Sequence, residues 1–383
     1  MLESYQNAIV QGHPIEWALT GLFVLLFLFQ VFYLLFFNLR VARHKSSPES
    51  SSGTLSILMV LRNEEDNLRE YLPGMLALNG CEFEVVAVDN YSLDNSYIFL
   101  QALQGQNQHL KISRLKQDTD YSEKMAQNIG LKAARYDWVM SVPPNAATFG
   151  NEWISHISAH ADHNADVIVN YSNIRPAGSF INMLYRVEYF FQQLKSFGFI
   201  LNGMPYIASQ ENVAFRKEKY FGVGGYRGRI TESFVQLEMV INSFINKKKV
   251  KLLTSEKTAI YEKKKVTFKD YIELIKKDWY LRKYLPAAIR YRLAVHDWIN
   301  FLFLPVAVAV VLVVPELWPF ILSMIIFLIL CNLFIIKKLL AALNERKLFL
   351  PSFLIALFLP VINFIFRAVH DSYGRKKGWK KII

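Results

Sequence analysis

Cysteine is nearly missing from this chain, with 2 in 383 residues, Cys81 and Cys331. They lie far apart and outside any spacing that groups metal ligands. This excludes a disulfide-stapled scaffold and a zinc ribbon, and it suits a reducing compartment. Charge is also scarce. Charged residues make up 20% against 52% apolar, too greasy for a purely soluble protein of this length. Acids are the scarcer sign, 32 against 44 basic residues. Between Lys247 and Arg292 fifteen basic residues face five acids. Such a stretch fits nucleic acid or an anionic membrane surface. No zinc-finger spacing or RNA-binding aromatic signature accompanies it, so the membrane is the expected partner and nucleic acid is not. The first apolar run has no basic leader and no small-residue cleavage site, so it reads as an anchor and not as a removed signal peptide.

The apolar residues that are present gather at the two ends. Trp17 to Phe37 carries no charge and is long enough to cross a bilayer. Arg40, Arg43 and Lys45 follow it, so the rule that basic flanks stay inside places the remainder in the cytoplasm, against the cytoplasmic membrane. Trp298–Val314 and Phe320–Ile336 form a second apolar pair, read as a hairpin around Pro315 and Pro319. Leu348–Phe366 is the last run. A full span would leave Arg375, Lys376, Lys377, Lys380 and Lys381 outside, and Pro351 and Pro360 could instead break it into a re-entrant or interfacial piece. The expected organisation is an anchor over 1–45, a Ser/Pro/Gly linker over 46–54, a cytoplasmic domain over 55–296 and a membrane region over 297–383. The spans are few and hold almost no internal charge, which argues against a channel or transporter.

Between the greasy ends the pattern alternates. "LSILMVL" (55–61), "FEVVAVD" (83–89), "LKISRL" (110–115) and "WVMSV" (138–142) are strand-length apolar runs. The stretches between them repeat apolar residues at helical spacing, as with Leu68, Leu72, Met75 and Leu76. Asn63 reads as a helix cap there. The alternation predicts an α/β domain, an open and mostly parallel sheet covered by helices, with ligands beyond the carboxyl ends of the strands. Arg62, Asn63, Asp89 and Pro143 fall there. Residues 179–201 read equally as a core helix or as one lying on the membrane. Residues 270–285 form a basic amphipathic segment expected at the membrane surface.

Four pieces stand in order: "MVLRNEEDNL", "VVAVDNYSLDNS", "SEKMAQNIGLKAARYDWVMSV" and "ENVAFRKEKYFGVGGY". Together they resemble the family 2 glycosyltransferases, inverting nucleotide-sugar enzymes with the A-type glycosyltransferase fold. The resemblance covers roughly 55–295 and implies a nucleotide-diphosphosugar transferase-like domain between transmembrane helices. It implies that Arg62, Asn63, Glu64, Asp89 and Asp94 shape the nucleotide-sugar pocket, with Lys124 and Asn128 beside it. Asp89 also stands out without the resemblance, because an acid closing a buried strand needs a reason.

The chain departs from the family where the chemistry lies. Members follow the fourth strand with Asp-x-Asp, whose carboxylates hold a divalent cation, Mn or Mg, against the diphosphate. Here Pro143 and Asn145 occupy those positions. Asn145 offers only a neutral carbonyl, so it is at most a weak metal ligand and the cofactor is doubtful. The later acidic pair that supplies the general base reads "ITESFVQLE". Glu232 survives and Ser233 stands where the base would be, so Glu232 or Glu238 would have to take that role after a shift of the loop. A Gln-x-x-Arg-Trp-like run has no glutamine in "IELIKKDWYLRK", and Lys276, Lys277 and Arg282 there read as membrane-surface charge.

The expected function is transfer of a sugar from a nucleotide sugar to a membrane lipid or envelope glycan acceptor. The rival is an inactive homologue that scaffolds a partner at the membrane, such as another glycosyltransferase.

Overall fold

The computed structural model describes residues 13–46, 53–147, 150, 152–162, 164–232, 235–356 and 358–366. The chain divides into two compact units, one of residues 1–42, 286–340 and 346–383, the other of 43–285 and 341–345.

The first unit is built on apolar helices. Three are long and apolar enough to cross a membrane: Pro14–Arg43, Ala287–Val313 and Pro315–Ala342. Pro14–Arg43 contains a wider π turn over Leu34–Asn38. Ala287–Val313 starts well before Trp298 because its first turns carry Arg290, Arg292, His296 and Asp297, which hide a helix from a hydropathy reading. Arg346–Ala356 and Leu359–Phe366 form a pair bent by 63°, close to the break expected at Pro351 and Pro360. Phe23, Leu26, Phe303, Ala307, Val310, Ile321 and Leu328 form the unit's apolar core. Gln30 donates to Asn300 Oδ1 at 2.8 Å, which satisfies two amides in an otherwise apolar setting.

The second unit is the α/β domain. Its strands are β1 Leu55–Leu61, β2 Phe83–Asp89, β3 Leu110–Arg114, β4 Trp138–Ser141, β5 Ala146–Ala147, β6 Val167–Asn170, β7 Ser172–Ile174, β8 Val213–Arg216, β9 Val250–Leu253 and β10 Ile260–Glu262. Its helices are α1 Glu65–Leu76, α2 Ser96–Gln104, α3 Ser122–Ala133, α4 Glu152–Ser158, α5 Phe180–Leu201, α6 Lys217–Gly222, α7 Leu237–Phe244 and α8 Phe268–Lys283. The larger sheet has the order β3-β2-β1-β4-β8-β6-β9, and β5-β10-β7 forms a second, smaller sheet. β1 is parallel to both β2 and β4, whereas β8 lies antiparallel between β4 and β6. The expected parallel sheet is therefore correct for the first four strands, and an antiparallel insertion completes it.

The continuous apolar runs of β1 and β2 follow from burial on both faces. Ile57, Met59 and Val85 join Leu68, Leu72, Met75 and Leu100 in one core. On the opposite face α3 packs so closely that a Cβ at Gly130 would lie 2.2 Å from Leu58 Cδ1. α5 buries residues around nearly its whole girth, including Arg186, Glu188, Gln192 and Gln193, which decides for the core-helix reading of 179–201. Its Arg186 forms a buried ion pair with Glu345, whose other carboxylate oxygen accepts from the Tyr171 hydroxyl at 3.3 Å. The Tyr261 hydroxyl donates to the Leu343 carbonyl.

Asn63 does not cap α1. The helix begins at Glu65 after Glu64, and Asn63 takes a left-handed backbone with φ 54°. Its side chain is occupied elsewhere.

Candidate active site

Strand order reverses at β1, with β2 on one side and β4 on the other, so the loops after these strands flank the switch point at which open α/β sheets bind ligands. Asn63 and the loop after β2 clasp one another. The Asn63 N–H donates to Ser92 Oγ at 2.9 Å, and Asn63 Oδ1 accepts from the Leu93 N–H at 2.8 Å. The Glu64 N–H donates to Ser96 Oγ at 2.9 Å. Asp94 accepts backbone N–H groups from Ser96 at 3.0 Å and from Glu65 at 3.2 Å. Burial works against its charge, but these donors hold the carboxyl below the usual value. Asp89 is wholly buried at the end of β2. Its Oδ1 accepts from the Ser92 N–H at 3.1 Å and its Oδ2 lies 3.0 Å from Arg114 Nε. Arg62 forks onto Asp118 at 2.9 and 2.6 Å. Burial raises the Glu64 carboxyl. Arg62, Asn63, Glu64, Asp89 and Asp94 thus share one rim, pinned by reciprocal bonds between two loops.

Lys124 and Asn128, on α3, turn to a different partner. Lys124 Nζ donates to the carbonyl of Ile230 at 3.0 Å and also to that of Glu232. Asn128 Oδ1 accepts from the Tyr220 hydroxyl at 2.6 Å, and Gln127 accepts from Tyr226. The face of α3 therefore fastens the segment that carries Glu232. Gly225 makes this segment's turn at φ 55°, where a Cβ would meet the Tyr220 ring at 2.6 Å. The Glu232 side chain is exposed and accepts from the Tyr284 hydroxyl. Ser233 lies outside the described residues.

The loop after β4 has the composition read from the sequence: Pro143 and Asn145 supply no carboxylate. The strands beside it do. β8 pairs with β4 through Val213 opposite Ser141, and the Asn212 N–H donates to the Ser141 carbonyl at 2.9 Å, which brings Glu211 alongside the loop. On the other side β10 pairs antiparallel with β5, placing Glu262 opposite Ala146. The Lys263 N–H donates to the Asn145 carbonyl at 2.9 Å, and Asn145 Nδ2 donates back to the Lys263 carbonyl at 3.1 Å. Burial, and then Glu211, raises the Glu262 carboxyl to about 8. Burial also raises Glu211, with Glu238 and Glu123 adding to the effect and Lys277 opposing it.

Lys277 completes this group and corrects an expectation. It does not sit on the membrane surface as read from the sequence. Its Nζ lies 3.2 Å from Oε1 of the fully buried Glu238. Burial disfavours its charge, but Glu238, Glu211 and Glu123 hold it above the usual lysine value. Arg282 likewise pairs with Asp278 at 2.7 Å. Glu123, Glu211 and Glu262 have no place in the sequence reading of the site, whereas Glu238 enters it as a possible base. One signal was available: "AIYE" closes a short apolar strand with an acid, as "VVAVD" does.

Among the described residues no three His, Cys, Asp or Glu side chains group as a metal centre. The Pro143–Asn145 loop by itself supplies no carboxylate for the divalent cation that the resemblance implies. Glu211 and Glu262 are hard oxygen donors beside it. Asn145 Oδ1 is shielded from solvent and has no hydrogen-bond partner among the described residues.

A family model, Glycosyl transferase family 2, matches residues 56–220. No curated protein matches the chain. Among solved structures, the mannosyltransferase PcManGT from Pyrobaculum calidifontis, in complex with GDP-Man and Mn2+, is 14% identical with a TM-score of 0.50; the match covers 88% of this chain and 96% of that one. S. aureus TarS is 19% identical with a TM-score of 0.42, over 66% of this chain and 43% of that one, so the chain spans less than half of that structure. S. aureus TarS 1-349 in complex with UDP-GlcNAc is 18% identical with a TM-score of 0.43, over 86% and 94%.

Proposed function

We propose, starting from residues 56–220 as a family 2 glycosyl transferase domain on an A-type α/β fold, that this protein is a membrane-bound transferase. It moves a sugar from a nucleotide sugar to a membrane lipid or envelope glycan acceptor, with the domain on the cytoplasmic side. The observation that carries the reading is the reciprocal clasp of Asn63 with Ser92 and Leu93 beside buried Asp89. It fixes two loops at the carboxyl ends of β1 and β2, where a base and ribose find acceptors and N–H donors without loop rearrangement. Support for a nucleotide sugar comes from the GDP-Man bound by the mannosyltransferase of the same fold. The apolar helices support an acceptor held at the bilayer, and Arg40 and Arg43 support the cytoplasmic side.

In the transfer an acceptor hydroxyl attacks the anomeric carbon. The new C–O bond forms as the C–O bond to the diphosphate breaks, and the hydroxyl proton passes to a carboxylate. Glu232 is the acid at the family's base motif, and Lys124 holds its backbone in place. A divalent cation, where bound, supplies counter-charge to the leaving diphosphate.

The test is calorimetric binding of UDP- and GDP-sugars to the detergent-solubilised full chain, followed by assay of nucleoside diphosphate release. Binding that Asp89→Asn weakens, together with release that needs an acceptor, supports the reading. Binding without release under any acceptor or cation moves the protein to the scaffold reading, and no binding removes both.

A further inference from the structure

Among the described residues four non-glycine positions take a left-handed backbone: Asn63, Tyr91, Asn212 and Asn344. Asparagine visits this region readily because its short amide bonds the local backbone, whereas a bulky ring-bearing residue does so rarely. Tyr91, at φ 59°, is therefore the outlier of the four. It stands two residues beyond Asp89, in the loop after β2.

Its neighbours hold it in that shape. The Asn90 N–H donates to the Leu61 carbonyl at 2.8 Å. The Ser92 N–H donates to Asp89 Oδ1 at 3.1 Å, its Oγ accepts from the Asn63 N–H at 2.9 Å, and its carbonyl accepts from Arg114 at 3.2 Å. Asn90 and Ser92 are both buried, so the bend at 91 cannot relax without undoing the clasp between the two loops. Glycine would meet that demand without strain. A tyrosine meets it only at a cost in stability, and such costs gather at ligand sites.

The chain itself gives this side chain little in return. Tyr91 is half-buried, and its side chain makes no hydrogen bond or ring contact among the described residues. It lies within charge reach of the Arg62 guanidinium, which keeps it at the rim. The neighbouring Tyr97 is differently placed, with the Arg114 guanidinium over its ring at 4.6 Å. Tyr91 is the aromatic at this rim with a face to offer.

We propose that Tyr91 is the platform on which the base of the donor nucleotide stacks. This inference rests on the glycosyltransferase reading and adds to it the contact that grips the base. Stacking on an aromatic face tolerates any base, so Tyr91 supplies affinity while selection between bases falls to the polar groups of the rim.

The test is calorimetric binding of UDP and of GDP to the full chain in detergent, with Tyr91→Phe, Tyr91→Ala and Tyr91→Gly beside the wild type. Tyr91→Phe keeps the ring and should bind as the wild type does. Tyr91→Ala and Tyr91→Gly lose it and should each bind roughly tenfold more weakly. An equal loss in both separates the ring from the backbone, because alanine keeps the left-handed strain and glycine does not. Thermal unfolding without nucleotide should run in a different order, with Tyr91→Gly melting above Tyr91→Ala. Wild-type affinity in the alanine and glycine variants overturns the proposal, as does a phenylalanine variant that binds no better than alanine. Equal midpoints for alanine and glycine remove the strain from which it was drawn and overturn it too. These outcomes sink this inference alone, whereas a wild-type chain that binds neither nucleotide sinks the function beneath it.

Discussion

Lys124 Nζ donates to the backbone carbonyl of Ile230 across 3.0 Å, joining α3 to the loop that presents Glu232. The lysine is 8% exposed. Lys124→Met keeps most of the apolar stem and removes the donor from two carbonyls. Charge-assisted hydrogen bonds of this kind contribute about 1.5–3 kcal/mol. Hydrogen exchange over 226–232 should speed up, and turnover should fall with nucleotide affinity retained. Unchanged exchange in that loop would count against Lys124 as its fastener.

Gly225 offers a sharper mutational contrast. At φ 55°, with the Tyr220 ring 2.6 Å from an added Cβ, Gly225→Ala combines left-handed strain with a clash. A loss of about 1–3 kcal/mol is expected. Gly222→Ala meets nothing within 4 Å and lies at the end of α6, so it should be neutral or slightly stabilising. Thermal unfolding of the two variants side by side reads the difference, and equal midpoints would contradict the turn geometry.

Asp89 predicts a binding defect and not merely a folding one. Asp89→Asn keeps the size but removes the charge facing Arg114 at 3.0 Å, and Asn63→Ala removes the acceptor that holds Leu93. Nucleotide affinity should fall by roughly tenfold in either variant, in line with losing a charged or preorganising contact. Calorimetry on the folded variants checks this, and wild-type affinity in both would detach the clasp from nucleotide binding.

The Glu262 carboxyl, raised to about 8 by burial and by Glu211, makes the protein sensitive to pH. Glu64 faces it as a further acid, with Lys264 and Lys277 opposing. A carboxyl raised above its ordinary 4.5 stabilises the fold while it holds its proton. That contribution is complete below the unfolded value and is lost as pH climbs through the folded one. The thermal midpoint of the chain should therefore decline between about pH 5 and about pH 8, and Glu262→Gln should flatten the decline. A slope identical in the variant would refute the assignment.

The first four strands were legible because a sheet buried on both faces demands unbroken apolar runs, and Leu55–Leu61 and Phe83–Asp89 supply them. The rim at Asp89 was legible because a charge at the end of such a run has no packing rationale. Asn63 misled because its composition fits a helix cap, yet the loop after β2 claims its side chain and moves the cap to Glu64. Lys277 misled for a related reason. A lysine in a basic amphipathic stretch looks solvated until Glu238, from a helix many residues earlier, meets it. Glu211 and Glu262 become neighbours only through the antiparallel β8 and the small second sheet. No local pattern in the sequence announces either.

The link between Arg186 and Glu345 bears on how this protein can be shortened. A version stopped after α8, at the apparent end of the globular part, discards the carboxylate that neutralises a guanidinium deep inside that part. Stranding a charge in this way costs about 3–5 kcal/mol. Loss of binding or of folding in such a trimmed version would therefore be no argument that the protein needs a bilayer, since the missing pentapeptide 341–345 is itself a piece of the α/β unit.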